Sequence, residues 1–187
     1  MEQTPRANRI HIGIYGRCNS GKSSLINAIT GQQTAVVSEV AGTTTDTVNK
    51  SMELPGVGAV TFIDTAGFDD TGELGAKRLE QTRKAADRTD VAVIVHAGGE
   101  PSAEREWIGL FGERNIPVVL VLNKADLLND EAAAVSALRA ETGINPIAMS
   151  ALTGKGIGEL IAAIAEADGA RRTRSPSRAI SPGLVTW

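Results

Sequence analysis

The sequence is poor in cysteine and in aromatic residues. Its 187 residues include one cysteine, Cys18, and two histidines, and Phe, Trp and Tyr together make up 3%. A single cysteine cannot form an intrachain disulfide, and zinc sites of the Cys₄ or Cys₂His₂ type are excluded on this chain. With so few aromatic residues, the core has to be built mainly from Val, Ile, Leu and Ala.

Long apolar runs and a large charge of either sign are also missing. The apolar runs fall far short of the roughly 20 residues that a membrane-spanning helix needs, and no charged-then-apolar secretory signal opens the chain. Nineteen Lys and Arg stand against 22 Asp and Glu, a formal net charge of −3. This balance argues against bulk attraction to nucleic acid or to anionic membranes. We therefore expect a cytoplasmic protein without a membrane or nucleic-acid partner.

Short apolar segments alternate with amphipathic ones along the chain. Strands are predicted at residues 9–15, 48–54, 59–63, 91–95, 117–122 and 144–148, and helices near 23–30, 75–88, 102–114, 130–141 and 156–167. Strands that are apolar on both faces and alternate with helices are typical of α/β proteins. The expected fold has three layers, with helices on both faces of a six-stranded, mostly parallel sheet that has one antiparallel edge pair.

Composition divides the chain into three parts: an N-terminal tail at 1–8, one domain at 9–168, and a disordered tail or linker start at 169–187. Residues 171–178 contain four Arg, one Pro and no apolar residue, a composition that cannot form a packed core. A solvated terminus is favoured over a nucleic-acid-binding arm for this segment.

A phosphate-binding loop is predicted directly after the first strand. Residues 16–23 read Gly-Arg-Cys-Asn-Ser-Gly-Lys-Ser and fit the pattern G-x-x-x-x-G-K-S/T between a strand and a helix. Its glycines allow backbone N–H groups to surround phosphates. Lys22 is placed to reach the β- and γ-phosphates, and the Ser23 hydroxyl to bind Mg²⁺. The nucleotide-binding residues predicted here are Asn19, Ser20, Gly21, Lys22, Ser23 and Ser24.

A second motif, Asp-Thr-Ala-Gly, begins at Asp64, where the next clear strand ends. A carboxylate at the carboxyl end of a strand faces the crevice in which α/β sheets bind ligands. Asp64 can therefore hold Mg²⁺ through water, and Gly67 can offer its N–H to the γ-phosphate.

A third motif, Asn123-Lys124-Ala-Asp126, follows the strand at 117–122. The two carboxylate oxygens of Asp126 match the N1–H and 2-amino donors of guanine, which adenine lacks, and such sites reject the wrong base strongly. The alternative for this segment is a helix N-terminus with Asp126 as its cap. The loop predicted to close over the base consists of Ser150, Ala151 and Leu152.

These motifs, in this order, resemble the Ras-like GTPase superfamily, within the branch that includes TrmE, Era and the FeFe-hydrogenase maturation GTPase HydF. Similarity to HydF-like proteins in particular is carried by residues 16–28, 42–46 and 64–75 with 78–83. That resemblance implies GTP hydrolysis to GDP and phosphate with Mg²⁺, in a switch for hydrogenase metallocluster assembly. Hydrogenase-maturation proteins and the hydrogenase would then be the partners. A tRNA-modification or ribosome-assembly GTPase and a nucleotide-binding module with negligible hydrolysis are the alternatives.

The resemblance places the first switch at 42–46, with Thr44 as the expected Mg²⁺ ligand and Thr43 as the alternative. Phe68 stands directly after Gly67, where Ras and Gα proteins carry a Gln that orients water. A phenyl ring cannot orient water, so we expect a slow intrinsic rate.

The TrmE-like branch supplies two further expectations. An Asn at the position of Asn19 coordinates K⁺ there, so K⁺ is expected to activate hydrolysis. Glu73 is the nearest counterpart of a water-positioning Glu, and a solvent-facing carboxylate is the alternative. The expected catalytic residues are thus Lys22, Asn19, Thr44, Gly67 and Glu73.

HydF-like proteins continue into a dimerisation domain and a cluster-binding domain with three cysteines and a histidine. No such sequence follows Asp168, and one cysteine cannot supply those ligands. We therefore expect no iron–sulfur cluster on this chain, which is an excised domain, a truncated product or a stand-alone relative. A homodimer through the switch regions or through such further domains is implied by the same resemblance.

Overall fold

The structure is a computed structural model that describes residues 9–32, 38–39, 49–65, 80 and 83–174. Within these residues one sheet has the strand order β2-β3-β4-β1-β5-β6-β7. Its strands are β1 (Ile10–Gly16), β2 (Ser38–Glu39), β3 (Asn49–Leu54), β4 (Gly58–Asp64), β5 (Val91–His96), β6 (Val118–Leu122) and β7 (Ile147–Ala148).

Helices cover both faces of this sheet. They are α1 (Lys22–Gln32), α2 (Ser102–Glu113), α3 (Glu131–Thr142) and α4 (Ile157–Arg174), and residues 83–86 are also helical. Helix α3 shows why such segments begin and end where they do. The Asp130 side chain caps its N-terminus by accepting a hydrogen bond from the Ala133 N–H at 3.0 Å. Gly143 ends it in the left-handed region, at φ 76°.

The predicted three-layer α/β fold with a mostly parallel sheet is confirmed, and the strand count differs by one. Strand β1 is central and parallel to β4 and β5, and β6 and β7 continue in parallel. Strand β3 runs antiparallel to β4. The additional strand is the two-residue β2, in which Ser38 pairs with Ser51 and Glu39 with Lys50. Two residues are too few to give an alternating apolar pattern, so the sequence did not predict this strand.

The core has one layer on each side of the sheet because alternate residues of the central strands point to opposite faces. On one face, side chains from β1 and β5 pack with α1 and α4; on the other, they pack with α2 and α3. The first layer includes Ile12, Ile14, Val93, Val95, Leu25 and Leu160; the second includes Tyr15, Ile94, Trp107, Phe111 and Leu138. Most of these residues are aliphatic, as the low aromatic content requires. Within the described residues, no helix is long and apolar enough to cross a bilayer.

Tyr15, the only tyrosine of the chain, is fully buried one residue before the end of β1. Its ring lies 4.7 Å from that of Phe111, centroid to centroid. Its hydroxyl is 2.7 Å from Oγ1 of Thr89, which donates to the Ala85 carbonyl at 2.9 Å. Burial raises the pKa of the Tyr15 phenol to about 12, although the Thr89 hydrogen bond opposes this shift.

The free energy of unfolding is therefore expected to fall between pH 10 and pH 12. In that window the unfolded phenol loses its proton while the folded phenol keeps it, so rising pH favours the unfolded chain, by about 2–3 kcal/mol in total. Urea unfolding of the parent and of Tyr15→Phe at each pH isolates this contribution, because other groups titrate in both proteins. Parallel pH profiles for the two proteins would show that Tyr15 ionises normally in the fold.

Helix α4 continues beyond residue 168, where the sequence places the end of the domain, and runs to Arg174. The reason is a set of ion pairs around the buried Asp168. Its carboxylate accepts from Arg171 at 3.1 Å and from Arg172 at 2.6 Å, and Arg171 also lies 3.2 Å from Asp90 beside β5. These contacts favour additional helical turns that the Arg-rich composition does not suggest. The domain boundaries themselves stay a prediction.

Candidate nucleotide-binding site

The predicted site residues lie where β1, β4 and β6 end, together with the segment that follows β7. Since β1 is parallel to β4 and β5, and β5 to β6, the carboxyl ends of these strands meet at one edge of the sheet. Ligands of α/β proteins bind at this edge. The parallel order therefore brings together motifs that are far apart in the sequence.

The loop between β1 and α1 folds around the ammonium group of Lys22. This buried group donates hydrogen bonds to the carbonyls of Gly16 at 2.7 Å and Arg17 at 2.8 Å. A Cβ on Gly16 would lie 2.5 Å from Oγ of Ser20 and would overlap it. Gly21 has φ 96°, and a Cβ there would overlap the side-chain amide of Asn123. Both glycines of the motif are thus required by close approach of neighbouring groups.

A serine hydroxyl and a carboxylate face each other at the start of α1. Oγ of Ser23 donates to Oδ2 of Asp64 at 2.7 Å, which joins the phosphate-loop helix to the end of β4. Within the described residues, Oδ1 of Asp64 is buried and has no hydrogen-bond partner. Hydroxyl and carboxylate oxygens are the ligands that Mg²⁺ prefers, with water filling the other positions. The donor set and the unpartnered oxygen both fit a Mg²⁺ ion held between these two residues.

Asn123 joins three parts of the site and is only 3% exposed. Its side-chain N–H₂ donates to the Ser20 carbonyl at 2.9 Å, and its Oδ1 accepts from the Ala151 N–H at 3.1 Å. Its backbone N–H donates to the His96 carbonyl at 2.8 Å. One residue therefore connects the phosphate loop and the loop after β7 through its side chain, and the end of β5 through its backbone.

Lys124 makes a second connection between the same loops. It has φ 60°, and its ammonium donates to the carbonyl of Asn19 at 2.7 Å. Asp126 is exposed in the short 3₁₀ turn Ala125–Leu127 that follows. The next helix is capped by Asp130, so the structure does not use Asp126 as the helix cap that the sequence offered as an alternative. The carboxylate of Asp126 is thus available for a ligand at the rim of the site.

The loop after β7 is fixed to the fold at its buried first residue and exposed at its tip. Ser150 is fully buried, and its Oγ accepts from the Thr153 N–H at 3.2 Å. The Ala125 N–H donates to the Met149 carbonyl at 2.9 Å, which fixes this loop to the Asn-Lys-Ala-Asp segment. Leu152 is 86% exposed at the tip of the loop. This arrangement suits a loop that covers one side of a flat ligand.

A sequence model of the family described as "50S ribosome-binding GTPase" matches residues 11–124. The chain belongs to this GTPase family. The prediction of a P-loop GTPase domain is therefore confirmed at the level of the family.

Two curated relatives of this GTPase domain illustrate the similarity. The tRNA modification GTPase MnmE of Xanthomonas oryzae pv. oryzae is 36% identical over 152 residues, which are 81% of this chain and 32% of that protein. GTPase Der of Wolinella succinogenes is 40% identical over 136 residues, 70% of this chain and 28% of that protein. The domain therefore spans about a third of the length of the curated relatives it matches.

Solved structures support the same fold. Era of Aquifex aeolicus, bound to GDP and AlF₄⁻, has a TM-score of 0.66 and 25% identity over 84% of this chain and 56% of Era. A probable GTP-binding protein, EngB, has a TM-score of 0.60 over 86% of this chain and 99% of EngB. At 22% identity, the likeness to EngB shows the fold alone.

Several residues predicted for the GTPase site lie outside the described residues. These are the switch segment 42–46 with Thr44, and Gly67, Phe68 and Glu73. Their roles stay predictions. Asn19 is described: it is an exposed residue of the phosphate loop with a left-handed backbone, at φ 60°.

The structure also adds neighbours that sequence reasoning missed. Thr65 donates from its side chain to the Ile14 carbonyl and so holds the segment after β4 against β1. Glu104 on α2 contacts both His96 and Arg17, the second residue of the phosphate loop. For Glu104, the sequence offers only a carboxylate in the first turn of a predicted helix. That pattern does not identify the residues that Glu104 contacts.

Proposed function

We propose that this chain is a GTP-hydrolysing switch domain of the tRNA-modification, Der and Era type, with GTP and GDP as its ligands. The observation that carries the proposal is the buried amide of Asn123, which bonds to Ser20 in the phosphate loop and to Ala151 in the base loop. This amide sets the distance between a phosphate-binding half and a base-binding half. Such a fixed distance suits a nucleotide.

Guanine specificity is proposed for Asp126. Its carboxylate is exposed at the rim, and the preceding Lys124 is tied to the phosphate loop. Two acceptor oxygens match the adjacent N1–H and 2-amino donors of guanine, whereas adenine would leave a carboxylate unpaired. GTP is therefore the expected substrate, and ATP is expected to bind weakly.

The other roles follow the chemistry of the site. Ser23 and Asp64 would hold Mg²⁺, which when bound neutralises charge on the phosphates during phosphoryl transfer. Lys22, whose ammonium donates to the Gly16 carbonyl within the loop, would pair with the β- and γ-phosphates. Thr44 and Gly67 are proposed to respond to the γ-phosphate, and Glu73 to position water.

The finer assignment to hydrogenase maturation is not favoured. The named relatives are tRNA-modification and Der GTPases, which support the alternative stated above. Hydrogenase partners therefore have no support beyond that resemblance.

A link to RNA is proposed only through the tRNA-modification relatives. Two arginines of the basic segment 171–178, Arg171 and Arg172, pair with Asp168, and Arg171 also with Asp90. Their charge is thus partly neutralised within the fold. The salt dependence of RNA binding would report on the remaining basic residues.

Hydrolysis of GTP and of ATP by this chain, with Mg²⁺, tests the proposal directly. We expect turnover of GTP and no comparable turnover of ATP. Tight GTP binding without turnover would instead support a nucleotide-binding module. Equal turnover of both nucleotides would contradict the assignment of Asp126.

Potassium is expected to raise the GTP hydrolysis rate by at least about tenfold over sodium at matched ionic strength, because a cation beside Asn19 would stabilise charge that develops in the transition state. The test variant is Asn19→Gly, which removes the side chain but keeps φ 60° accessible. Its rate should be the same in both salts. Asn115→Gly is the matched control, since Asn115 is an exposed Asn with φ 56°. Equal parent rates in KCl and NaCl would refute a role for K⁺.

A further inference from the structure

A buried carboxylate lies behind the phosphate loop. Glu104, in the first turn of α2, is 1% exposed, and its Oε1 lies 2.9 Å from Nδ1 of His96, which is also buried. Within the described residues, its Oε2 has no hydrogen-bond partner and lies 3.7 Å from Nη2 of Arg17. The positive end of α2 favours a carboxylate at this position. Burying a charge is nevertheless costly unless it is paired, so its neighbours matter.

Arg17 connects this carboxylate to the phosphate loop, of which Arg17 is the second residue. Its guanidinium also donates to the Glu100 carbonyl at 2.5 Å and to Oγ of Ser102 at 3.1 Å. Its own carbonyl accepts from the ammonium of Lys22 at 2.8 Å. Arg17 thus contacts the start of α2 through its side chain, and the ammonium of Lys22 through its backbone carbonyl.

His96 connects the same carboxylate to the base-binding half. The ring lies against Glu104, and the carbonyl of His96 accepts the backbone N–H of Asn123 at 2.8 Å. Asn123 in turn bonds to the phosphate loop and to the loop after β7. Glu104 is therefore connected to Lys22 through Arg17 and to Asn123 through His96.

We infer that Glu104 is a positioning residue for nucleotide binding, which acts through Arg17 on the phosphate loop and through His96 on the guanine-binding segment. This inference rests on the proposed function, since it concerns the affinity of that site for GDP and GTP. Neutralising Glu104 would remove the charge that faces Arg17 at 3.7 Å, which would leave Arg17 held by the Glu100 carbonyl and Ser102 and would loosen the peptide unit that bonds to Lys22. Removing the charge of Arg17 would loosen the same peptide unit, so the two changes should add only in part, because Glu104 also contacts His96.

A double-mutant cycle tests this coupling. The dissociation constant of fluorescently labelled GDP is measured for the parent, for Glu104→Gln, for Arg17→Gln and for the double variant. We expect each single change to weaken binding about tenfold, and the double variant to be weakened by about thirtyfold rather than the hundredfold of independent changes. Glu106→Gln, the same change at an exposed position of α2, should bind like the parent.

Three results would overturn the inference. A hundredfold loss in the double variant would mean that the two residues act independently. A lower unfolding temperature of Glu104→Gln with unchanged GDP affinity would mean a purely structural role. Failure of the parent to bind GDP would refute the proposed function itself, and this inference with it.

A second pair of variants applies if Glu104→Gln does not fold. Arg17 is 35% exposed, so its replacement leaves the core intact. Arg17→Gln is expected to bind GDP about tenfold more weakly, and Arg17→Lys to recover part of the loss because an ammonium keeps a charge opposite Glu104. Parent-like affinity of Arg17→Gln would also overturn the inference.

Discussion

Replacement of Lys22 by alanine is expected to lower the affinity for GTP and GDP by roughly a thousandfold. The ammonium has three N–H donors, and one of them would make a charge-assisted hydrogen bond to a phosphate oxygen, worth about 1.5–3 kcal/mol. It also donates to the carbonyls of Gly16 and Arg17, so its loss loosens the loop that surrounds the phosphates. Isothermal titration with GDP and GTP in the presence of Mg²⁺ measures the effect.

Lys84→Ala is the control for this change, because Lys84 is exposed and pairs only with the exposed Glu80 among the contacts described. It should bind both nucleotides like the parent. Circular dichroism of Lys22→Ala separates a binding defect from unfolding. Binding by a folded Lys22→Ala within about threefold of the parent would contradict the assignment of the phosphate loop.

Asp126→Asn is expected to weaken GTP binding by at least about a hundredfold and to admit xanthosine triphosphate in its place. The amide retains one acceptor for the base and turns the other into a donor, so the 2-amino group of guanine meets an N–H instead of an oxygen. Xanthine carries a carbonyl at that position and can accept this N–H. Losing a matched polar pair in a discriminating site has effects of this size. Competition between the two triphosphates for labelled GDP measures the change.

Asp130→Asn is the matched control for Asp126→Asn. It makes the same chemical change four residues later, and asparagine caps helices as well as aspartate does. Its nucleotide preference should equal that of the parent. An unchanged preference for GTP in Asp126→Asn would show that another group reads the base.

The sequence alone predicted most of the central fold. Alternating isoleucines before Gly16 and the apolar run at 91–95 predicted the central strands, and both are buried as expected. The prediction was weaker at the edges. A two-residue strand has no pattern of its own, and the final turns of α4 depend on ion pairs between Asp168, Arg171 and Asp90.

The phosphate loop and the Asn-Lys-Ala-Asp segment were also determined by sequence, because glycine, lysine and carboxylate at fixed spacing encode local backbone shape and chemistry. Which residues connect these motifs was decided by the tertiary structure. The bonds of Asn123 to Ser20 and Ala151, and the contacts of Glu104 with Arg17 and His96, join segments that only the parallel sheet brings together. Such pairings leave no periodic trace in a single sequence, since each partner reads locally as an ordinary helix or loop residue.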